Sequence, residues 1–505
     1  MRGRWAAGGL QPALSVLAGL LQALAMAAPW DGQPRWWLQL LSLGVLAWQL
    51  ERSTHWKQAA LAGWLFAVAW LSGTFWWLYI SMHTYGGLPA PLAATAVLAL
   101  AGLLALYYAG AAALQRHYAP ATAGLRALLF AALWLLAELA RGRWFTGFGW
   151  GGSGYAHVEG PLAGYAPWLG VYGIAALSAW LAMSFVQMRR SGSLQRGAAL
   201  LVLALPALVS LGTAGATAPA GTLGVALLQG NIPQDEKFQP GTGVPTALRW
   251  YGAALADNQA PLVVAPETAL PLLPLQLPEG YWDGLRERYA NGTQAALIGM
   301  PLGSFREGYT NSAVGLAPGQ APWRYDKHHL VPFGEFIPTG FRWFTAMMHI
   351  PLGDFNRGDI GQPSFAWMGQ RLAANICYED LFGEELGARF ADPAQAPTIF
   401  VNLSNIAWFG NTVAIDQHLA ISRMRALEFE RPFVRATNTG STAIVDHRGQ
   451  VIAELPRHTR GVLSGEVQGR EGLTLYARWV ARLGLWPLWI AGLAALALAI
   501  RARRR

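Results

Sequence analysis

Long apolar segments alternate with short polar loops over residues 1–217, and one further apolar segment lies near residue 490. About 20 apolar residues are enough for a helix to cross the hydrocarbon core of a bilayer. The pattern therefore predicts eight transmembrane helices, near residues 10–28, 34–50, 59–80, 88–108, 124–140, 162–187, 197–217 and 479–500.

The pattern changes between residues 218 and 475, where short apolar runs alternate with polar turns. Runs of this length are typical of strands, and a 3.6-residue apolar period predicts a helix over about Val413–Phe429. A segment of this size can bury a complete core, so we predict one layered α/β domain. The predicted strands are Leu223–Gln229, Pro261–Ala265, Ala295–Gly299, Leu372–Cys377, Thr398–Asn402, Phe433–Thr437 and Thr442–Asp446. The predicted organisation is thus seven helices in 1–217, an outer domain in 218–475, and an eighth helix with a basic tail in 476–505.

Composition supports a membrane protein, because 53% of the residues are hydrophobic and only 13% are charged. The 218–475 segment contains 19 Lys and Arg against 24 Asp and Glu, whereas the rest of the chain contains 18 against 4. The positive charge therefore lies in the membrane part. A nucleic-acid-binding protein would place it on the folded domain, so we expect no nucleic-acid partner.

Basic residues in short loops predict the orientation, since Lys and Arg are enriched on the cytoplasmic side. With the N-terminus in the cytoplasm, the inner segments hold thirteen Lys and Arg and the short outer loops hold three. This bias places 218–475 on the outer side of the membrane. The first span also resembles a cleavable signal peptide ending at Ala25-Met26-Ala27, but its removal would upset the charge alternation, so we expect it to be retained.

Three segments of the outer domain offer groups for covalent acyl transfer. Cys377 is the only cysteine of the chain and ends an apolar run, Glu267 follows a second apolar run, and Lys327 precedes the acid Glu335. A thiol nucleophile needs a base and a group that stabilises the developing negative charge. Lys327 suits the stabilising role because ammonium is a compact donor. Glu267 suits the base, and we expect burial to raise its pKa.

Two alternatives remain for these groups. His328 or His329 could form a Cys–His pair with Cys377, which would leave Glu267 without a role. An isolated cysteine is also commonly a small buried hydrophobic residue. Metal-ligand spacing and a glycine-rich phosphate loop are both absent from the sequence, so we expect no metal and no cofactor.

The segment 340–353 is rich in large apolar side chains between glycines. It is either a core-packing helix or a mobile lid that faces lipid, with Trp343 and Phe344 among its contacts.

Four motifs resemble a known superfamily: Pro266-Glu267-Thr268, the Lys327–Glu335 segment, Ile376-Cys377-Tyr378-Glu379-Asp380, and the 401–410 segment with Asn402. They resemble the carbon–nitrogen hydrolase (nitrilase) superfamily. With eight spans around the domain, the chain resembles the apolipoprotein N-acyltransferase family over nearly its whole length.

The resemblance implies an α+β membrane protein whose outer domain is an αββα sandwich. It implies Glu267 as general base, Lys327 as stabiliser of the intermediate and Cys377 as nucleophile. Two positions depart from the family's pattern, since Phe238 replaces a common Trp and Gly149 replaces the Pro before Trp150. The resemblance also implies supporting roles for Glu335, Tyr378 and Glu379. Further candidate substrate-binding residues are Asn402, Trp343, Phe344, Phe238 and Trp150.

The implied reaction transfers an acyl chain from a phospholipid, through a thioester on Cys377, to the α-amino group of a diacylglyceryl-cysteine on an apolipoprotein. The implied partners are these two substrates and membrane lipids, acting on a monomer in the bacterial inner membrane with the catalytic domain in the periplasm. A membrane-tethered amidase or hydrolase could use the same three residues. A transporter or scaffold is a further alternative, but intramembrane charges, the usual marker of a transport path, are few, with Glu138 the main candidate.

Overall fold

The computed structural model describes residues 3–212, 215–338 and 355–504. The chain divides into two compact units. The first comprises Met1–Tyr79, Pro89–Ala214 and Leu483–Arg505, and the second comprises Ile80–Leu88 and Gly215–Arg482.

The first unit is helical. The longer helices of the described residues, in both units, are α1 (Gly3–Met26), α2 (Trp36–Arg52), α3 (Trp56–Thr74), α4 (Ala90–Tyr118), α5 (Ala123–Arg143), α6 (Ala166–Val186), α7 (Ser193–Gly212), α8 (Gly243–Asp257), α9 (Tyr281–Asn291), α10 (Ala414–Phe429), α11 (Leu475–Leu483) and α12 (Trp486–Arg504). Short helices at Leu78–Ile80 and Gly383–Gly387 add to these. Helices α1–α7 and α12 coincide with the eight predicted apolar runs.

Four of these helices are long and apolar enough to cross a membrane: Ala90–Tyr118, Ala123–Thr146, Ala163–Val186 and Trp486–Arg503. A fifth span results if the bent pair Trp56–Thr74 and Leu78–Tyr85 counts as one. The apolar stretches Gln11–Met26 and Ser193–Pro206 are shorter, and α2 has only 17 residues. The described residues therefore support a multi-span membrane protein with four clear spans and do not confirm the predicted eight, because the apolar stretches described in α1, α2 and α7 are shorter than the usual spanning length.

Glu138, the charge that sequence analysis related to transport, is buried in α5 beside Arg141 at 3.1 Å. Arg141 also donates to the Tyr108 hydroxyl at 2.9 Å and to the carbonyls of Phe148 and Trp150 at 2.7 and 2.8 Å. A buried ion pair whose arginine also donates to loop carbonyls holds that loop in one conformation. The pair therefore has a structural role in holding the 148–150 turn.

The second unit contains two six-stranded sheets. The strands are β1 (Thr217–Gln229), β2 (Leu262–Ala265), β3 (Ala295–Ser304), β4 (Gly308–Leu316), β5 (Trp323–Asp326), β6 (Phe365–Trp367), β7 (Gln370–Ile376), β8 (Ile399–Ser404), β9 (Phe433–Thr437), β10 (Ala443–Val445), β11 (Val451–Glu454) and β12 (Gly461–Gly472). The strand orders are β12-β1-β2-β3-β4-β5 and β11-β10-β9-β8-β7-β6. In each sheet the central strands are parallel: β1, β2 and β3 in the first, and β7, β8 and β9 in the second.

The inner faces of the two sheets share one apolar core, in which residues such as Leu227, Val264, Ile376 and Leu403 are fully buried. The outer face of the first sheet packs against α8 and α9, and that of the second packs against α10 and α11. Parallel strands that are covered on both faces are buried along their whole length, as β2 and β8 are. The layers are therefore helix, sheet, sheet and helix. Glu267 and Cys377 follow the parallel strands β2 and β7, and Lys327 follows β5.

Candidate active site

Cys377 lies directly after β7, where the chain turns from a strand into a 3₁₀ helix over Cys377–Leu381. Its φ angle is +55°, in the left-handed region that non-glycine residues avoid at a cost of about 1–2 kcal/mol. Strained backbone of this kind persists only where the surroundings enforce it, and it is commonly found at functional sites. The sharp turn places Cys377, a half-buried residue, at the end of a buried strand.

Two buried side chains hold the carbonyl group of Cys377. The Asn402 amide donates to this oxygen at 2.8 Å, and it also donates to Asn375 Oδ1 at 2.7 Å. His418 Nε2 lies 3.2 Å from the same oxygen and 3.0 Å from Asp380 Oδ1. Asn402 therefore contacts the backbone of the cysteine and helps to enforce the strained turn.

Glu267 follows β2, and hydrogen-bond donors reach both of its carboxylate oxygens. Asn311 donates to Oε1 at 2.7 Å and Lys327 Nζ at 3.2 Å, while the backbone N–H of Asn405 donates to Oε2 at 2.8 Å. The carboxylate is buried and held in one orientation, as a proton acceptor must be.

Lys327 follows β5 and is almost completely buried between two carboxylates. Its Nζ atom lies 3.2 Å from Glu267 and 3.0 Å from Glu335. Burial alone would lower the pKa of Lys327, but Glu267 and Glu335 raise it well above its usual value. The side chain is therefore a fixed cation beside the thiol.

The Cys377 thiol is neutral at physiological pH. Burial, together with the charge of Glu267, raises its pKa to about 12, although Lys327 opposes the shift. A thiol of this kind does not rest as a thiolate, so the geometry calls for a base that removes the proton during attack.

The pKa of Glu267 differs from the sequence-based expectation. Burial does raise it, but Lys327, Lys237 and the Asn311 hydrogen bond outweigh burial, and the pKa lies below the ordinary value. The expected upward shift is wrong because it considered burial alone, whereas Lys327, Lys237 and Asn311 together stabilise the charged form. The carboxyl group is consequently ionised, and able to accept a proton, throughout the neutral range.

The acids near the cysteine have separate contacts. Glu335 bridges Lys327, the Asn311 amide at 2.7 Å and the backbone N–H of Val331 at 2.9 Å. Glu379 accepts from the backbone N–H groups of His328 and Ile376 at 2.7 and 2.6 Å. Glu379 thereby joins the loop after Lys327 to the turn that carries Cys377.

Tyr378 packs beside the lysine, with Lys327 Nζ 5.8 Å from its ring centroid and its hydroxyl donating to the Leu330 carbonyl at 2.8 Å. Burial raises the pKa of this phenol well above its usual value, so it stays protonated. It forms a neutral wall of the site.

Both candidate histidines are engaged elsewhere. His328 Nδ1 lies 2.7 Å from the Gly358 carbonyl, and His329 Nδ1 lies 3.0 Å from Glu385 while its ring stacks on Phe382. These contacts favour Glu267 over a Cys–His pair.

Sequence analysis missed several residues of the site. Asn311 lies in β4, a strand that was not predicted, and Asn405 contributes through its backbone. Lys237 is buried and donates from Nζ to the Glu267 carbonyl at 3.0 Å. The available signal was compositional, because lysine occurs only at positions 57, 237 and 327.

The remaining predicted residues lie as follows. Phe238 is 45% exposed, and its ring centroid is 5.8 Å from Lys237 Nζ. Trp150 belongs to the first unit, where it is buried edge-to-face against Trp77. Trp343 and Phe344, with the whole 340–353 segment, lie outside the described residues. Among the described residues, no group of three or more His, Cys, Asp and Glu side chains could hold a metal ion.

Comparison with known families defines the class of protein. The carbon–nitrogen hydrolase model matches residues 224–474, and the model of the apolipoprotein N-acyltransferase N-terminal domain matches residues 18–184. The second unit is thus a nitrilase-like domain in an α+β membrane protein.

Relatives along the full chain give a finer assignment. The chain is 61% identical to an apolipoprotein N-acyltransferase of Verminephrobacter eiseniae, covering 93% of this chain and 92% of the relative. It is 46% identical to that of Ralstonia nicotianae, covering 97% and 93%. The chain belongs to the apolipoprotein N-acyltransferase family.

Among solved structures, a carbon–nitrogen hydrolase superfamily protein of Xanthomonas campestris is 19% identical, with a TM-score of 0.36. The match covers 52% of this chain and 96% of that structure.

Proposed function

We propose that this enzyme transfers an acyl chain from a membrane phospholipid to the α-amino group of the N-terminal diacylglyceryl-cysteine of a lipoprotein, through a thioester on Cys377. The proposal rests on family membership together with one observation: a buried carboxylate and a buried ammonium, in contact with each other, lie beside the thiol at a strained strand end. Nucleophile, base and cation are the parts that covalent acyl transfer requires.

In the first half-reaction, the neutral thiol of Cys377 attacks the ester carbonyl as Glu267 takes its proton. The cationic Lys327 stabilises the oxyanion that forms. The intermediate collapses to a thioester when the C–O bond breaks, and Glu267 returns the proton to the departing lysophospholipid alkoxide. The low pKa of Glu267 keeps it available as base before the attack.

In the second half-reaction, the neutral α-amine attacks the thioester carbonyl and gives its proton to Glu267. The C–S bond then breaks, the amide is formed, and the proton returns to the Cys377 thiolate. The high pKa of this thiol favours reprotonation, so the cycle ends in the resting state.

The membrane helices fit this chemistry. Exposing a 16-carbon acyl chain to water would cost on the order of 12 kcal/mol, at about 0.8 kcal/mol per CH₂. We therefore place the 218–475 domain at the periplasmic surface of the bacterial inner membrane, carried by eight spans, as a monomer that takes both substrates from the bilayer. The proposal includes a lid that faces lipid, formed by the segment 340–353 with Trp343 and Phe344.

The decisive experiment separates the two half-reactions by intact-protein mass spectrometry. Full-length enzyme given phospholipid alone should accumulate an acyl adduct on Cys377, and it should release the adduct when an amine-bearing diacylglyceryl peptide is added. The Cys377→Ala variant should form neither adduct nor product, because the chain contains no other thiol.

The control peptide carries an acetylated α-amine and should leave the adduct intact. Rapid release of free fatty acid without any acceptor would instead identify a membrane-tethered hydrolase.

A further inference from the structure

Lysine is rare in this chain, which has 3 lysines against 34 arginines. Lys57 is exposed near the start of α3, whereas Lys237 and Lys327 are both 1% exposed. Both buried lysines contact Glu267, Lys327 at the carboxylate and Lys237 at the backbone carbonyl, 3.0 Å away. Two of the three lysines therefore contact the same glutamate.

Few other contacts stabilise the positive charge of Lys237. Within the described residues, its Nζ atom forms one hydrogen bond, and its acceptor is the neutral Glu267 carbonyl. Lys327 in contrast is paired with both Glu267 and Glu335. A buried ammonium with no directly paired carboxylate is costly, so its retention needs a reason beyond packing.

The electrostatic interaction between Lys237 and Glu267 supplies that reason. Glu267 and Cys377 favour the charged form of Lys237, but burial lowers its pKa to about 7. The ammonium is therefore charged throughout the acidic range in which Glu267 titrates. The groups that act on Glu267 are Lys327 and Lys237, with Asn311 as a hydrogen-bond donor. The acids Asp235 and Glu236 precede Lys237 on the same loop but are exposed to solvent.

We propose that Lys237 is a positioning residue whose buried positive charge keeps Glu267 ionised and fixes its backbone, so that Glu267 can act as the base for Cys377. The inference rests on the proposed function, because it concerns how that base works. Lysine suits this position better than arginine, since its compact ammonium can be buried with a single acceptor whereas guanidinium presents five donors.

The test is the pH dependence of Cys377 acylation by phospholipid in a single turnover of the full-length enzyme. Lys237→Met removes the charge and keeps the length, whereas Lys237→Gln removes the charge and keeps a donor for the Glu267 carbonyl. A nearby positive charge lowers a carboxyl pKa by about 1–3 units. Both variants should therefore move the acidic limb of the profile to higher pH by about one unit or more. The control, Lys57→Met, removes the exposed lysine and should retain the wild-type profile.

The outcomes are distinct. A wild-type acidic limb in both variants, or a rate reduced by the same factor at every pH, would overturn the inference and leave Lys237 a packing residue. A wild-type limb in Lys237→Gln alone would assign it to hydrogen bonding and overturn the role of its charge. Failure of the proposed function would give a different result, because the wild-type enzyme would then form no adduct on Cys377 at any pH.

Discussion

At the scale of single residues, the proposed mechanism uses the charge of Lys327, whose Nζ atom is held between Glu267 and Glu335. Replacing this lysine with Ala should slow acyl-adduct formation about 10²-fold or more, by analogy with the loss of one oxyanion-stabilising donor.

Glu267→Gln should abolish acylation, because a carboxamide cannot accept the thiol proton. Single-turnover mass spectrometry measures both effects.

The matched control for this pair is Arg324→Ala. Arg324 is half-exposed, lies in β5 three residues before Lys327, and pairs with Asp326. Its loss should change the acylation rate little. An unchanged rate in Lys327→Ala would remove that residue from the mechanism.

Glu267 and Cys377 could be proposed from sequence because each lies at the end of an apolar run that predicts a strand, and Lys327 because it is a cation that precedes the acid Glu335. Their electrostatics could not, because the pKa of Glu267 depends on Lys237, which is 30 positions away in the sequence. Asn402 illustrates the same limit: its motif marks it as important, but only the fold shows that its amide holds the Cys377 carbonyl.

At the scale of elements, the turn after β7 is supported by a polar cluster under α10. Asp380, His418 and Arg435 are fully buried and mutually hydrogen-bonded, with Arg435 Nη2 3.1 Å from His418 Nδ1 and Arg435 Nη1 3.3 Å from Asp380. Burial lowers the pKa of His418, so its ring is neutral at pH 7. Since Arg435 can only donate to Nδ1, the proton lies on Nε2 and points to Asp380 and the Cys377 carbonyl.

Asp380→Asn should therefore destabilise the enzyme strongly. Removing one partner leaves Arg435 buried without a countercharge, at a cost of about 3–5 kcal/mol. The control Asp416→Asn breaks the partly exposed pair with Arg457, which should contribute less than about 1 kcal/mol. Thermal unfolding of the two variants in detergent compares them, and equal stabilities would contradict a supporting role for the cluster.

Strands were predicted where apolar residues are continuous, and they were missed where they are not. Phe433–Thr437 was predicted with its observed bounds, and Val413–Phe429 begins one residue before α10. In contrast, β12 was missed because alternate residues are exposed and Gly, Ser and Gln interrupt the apolar pattern. Its long antiparallel pairing with β1 forms the strand, and sequence alone does not reveal such pairing.

At the scale of the whole molecule, charge in the short loops determines the expected topology. The segments predicted to be cytoplasmic hold thirteen Lys and Arg, against three in the short outer loops. Basic residues near span ends are retained in the cytoplasm, so both termini should lie there and the 218–475 domain should lie outside. An even number of spans is required for this arrangement. Among the described residues, eight helices overlap the predicted apolar runs, and four of them are by themselves long and apolar enough to cross a membrane.

Reporter fusions test this arrangement. A fusion near residue 300 should be active as a periplasmic reporter, and a fusion after Arg505 should be active only as a cytoplasmic one. Replacing Arg189, Arg190 and Arg196 with Gln removes positive charge from the loop before α7 and from its first turn, and should weaken the bias. Replacing Arg249, Arg286 and Arg306, which are equally basic but lie in the 218–475 domain, should not. If both fusions report the same side, the number of spans between them is even, and the eight-span arrangement is wrong.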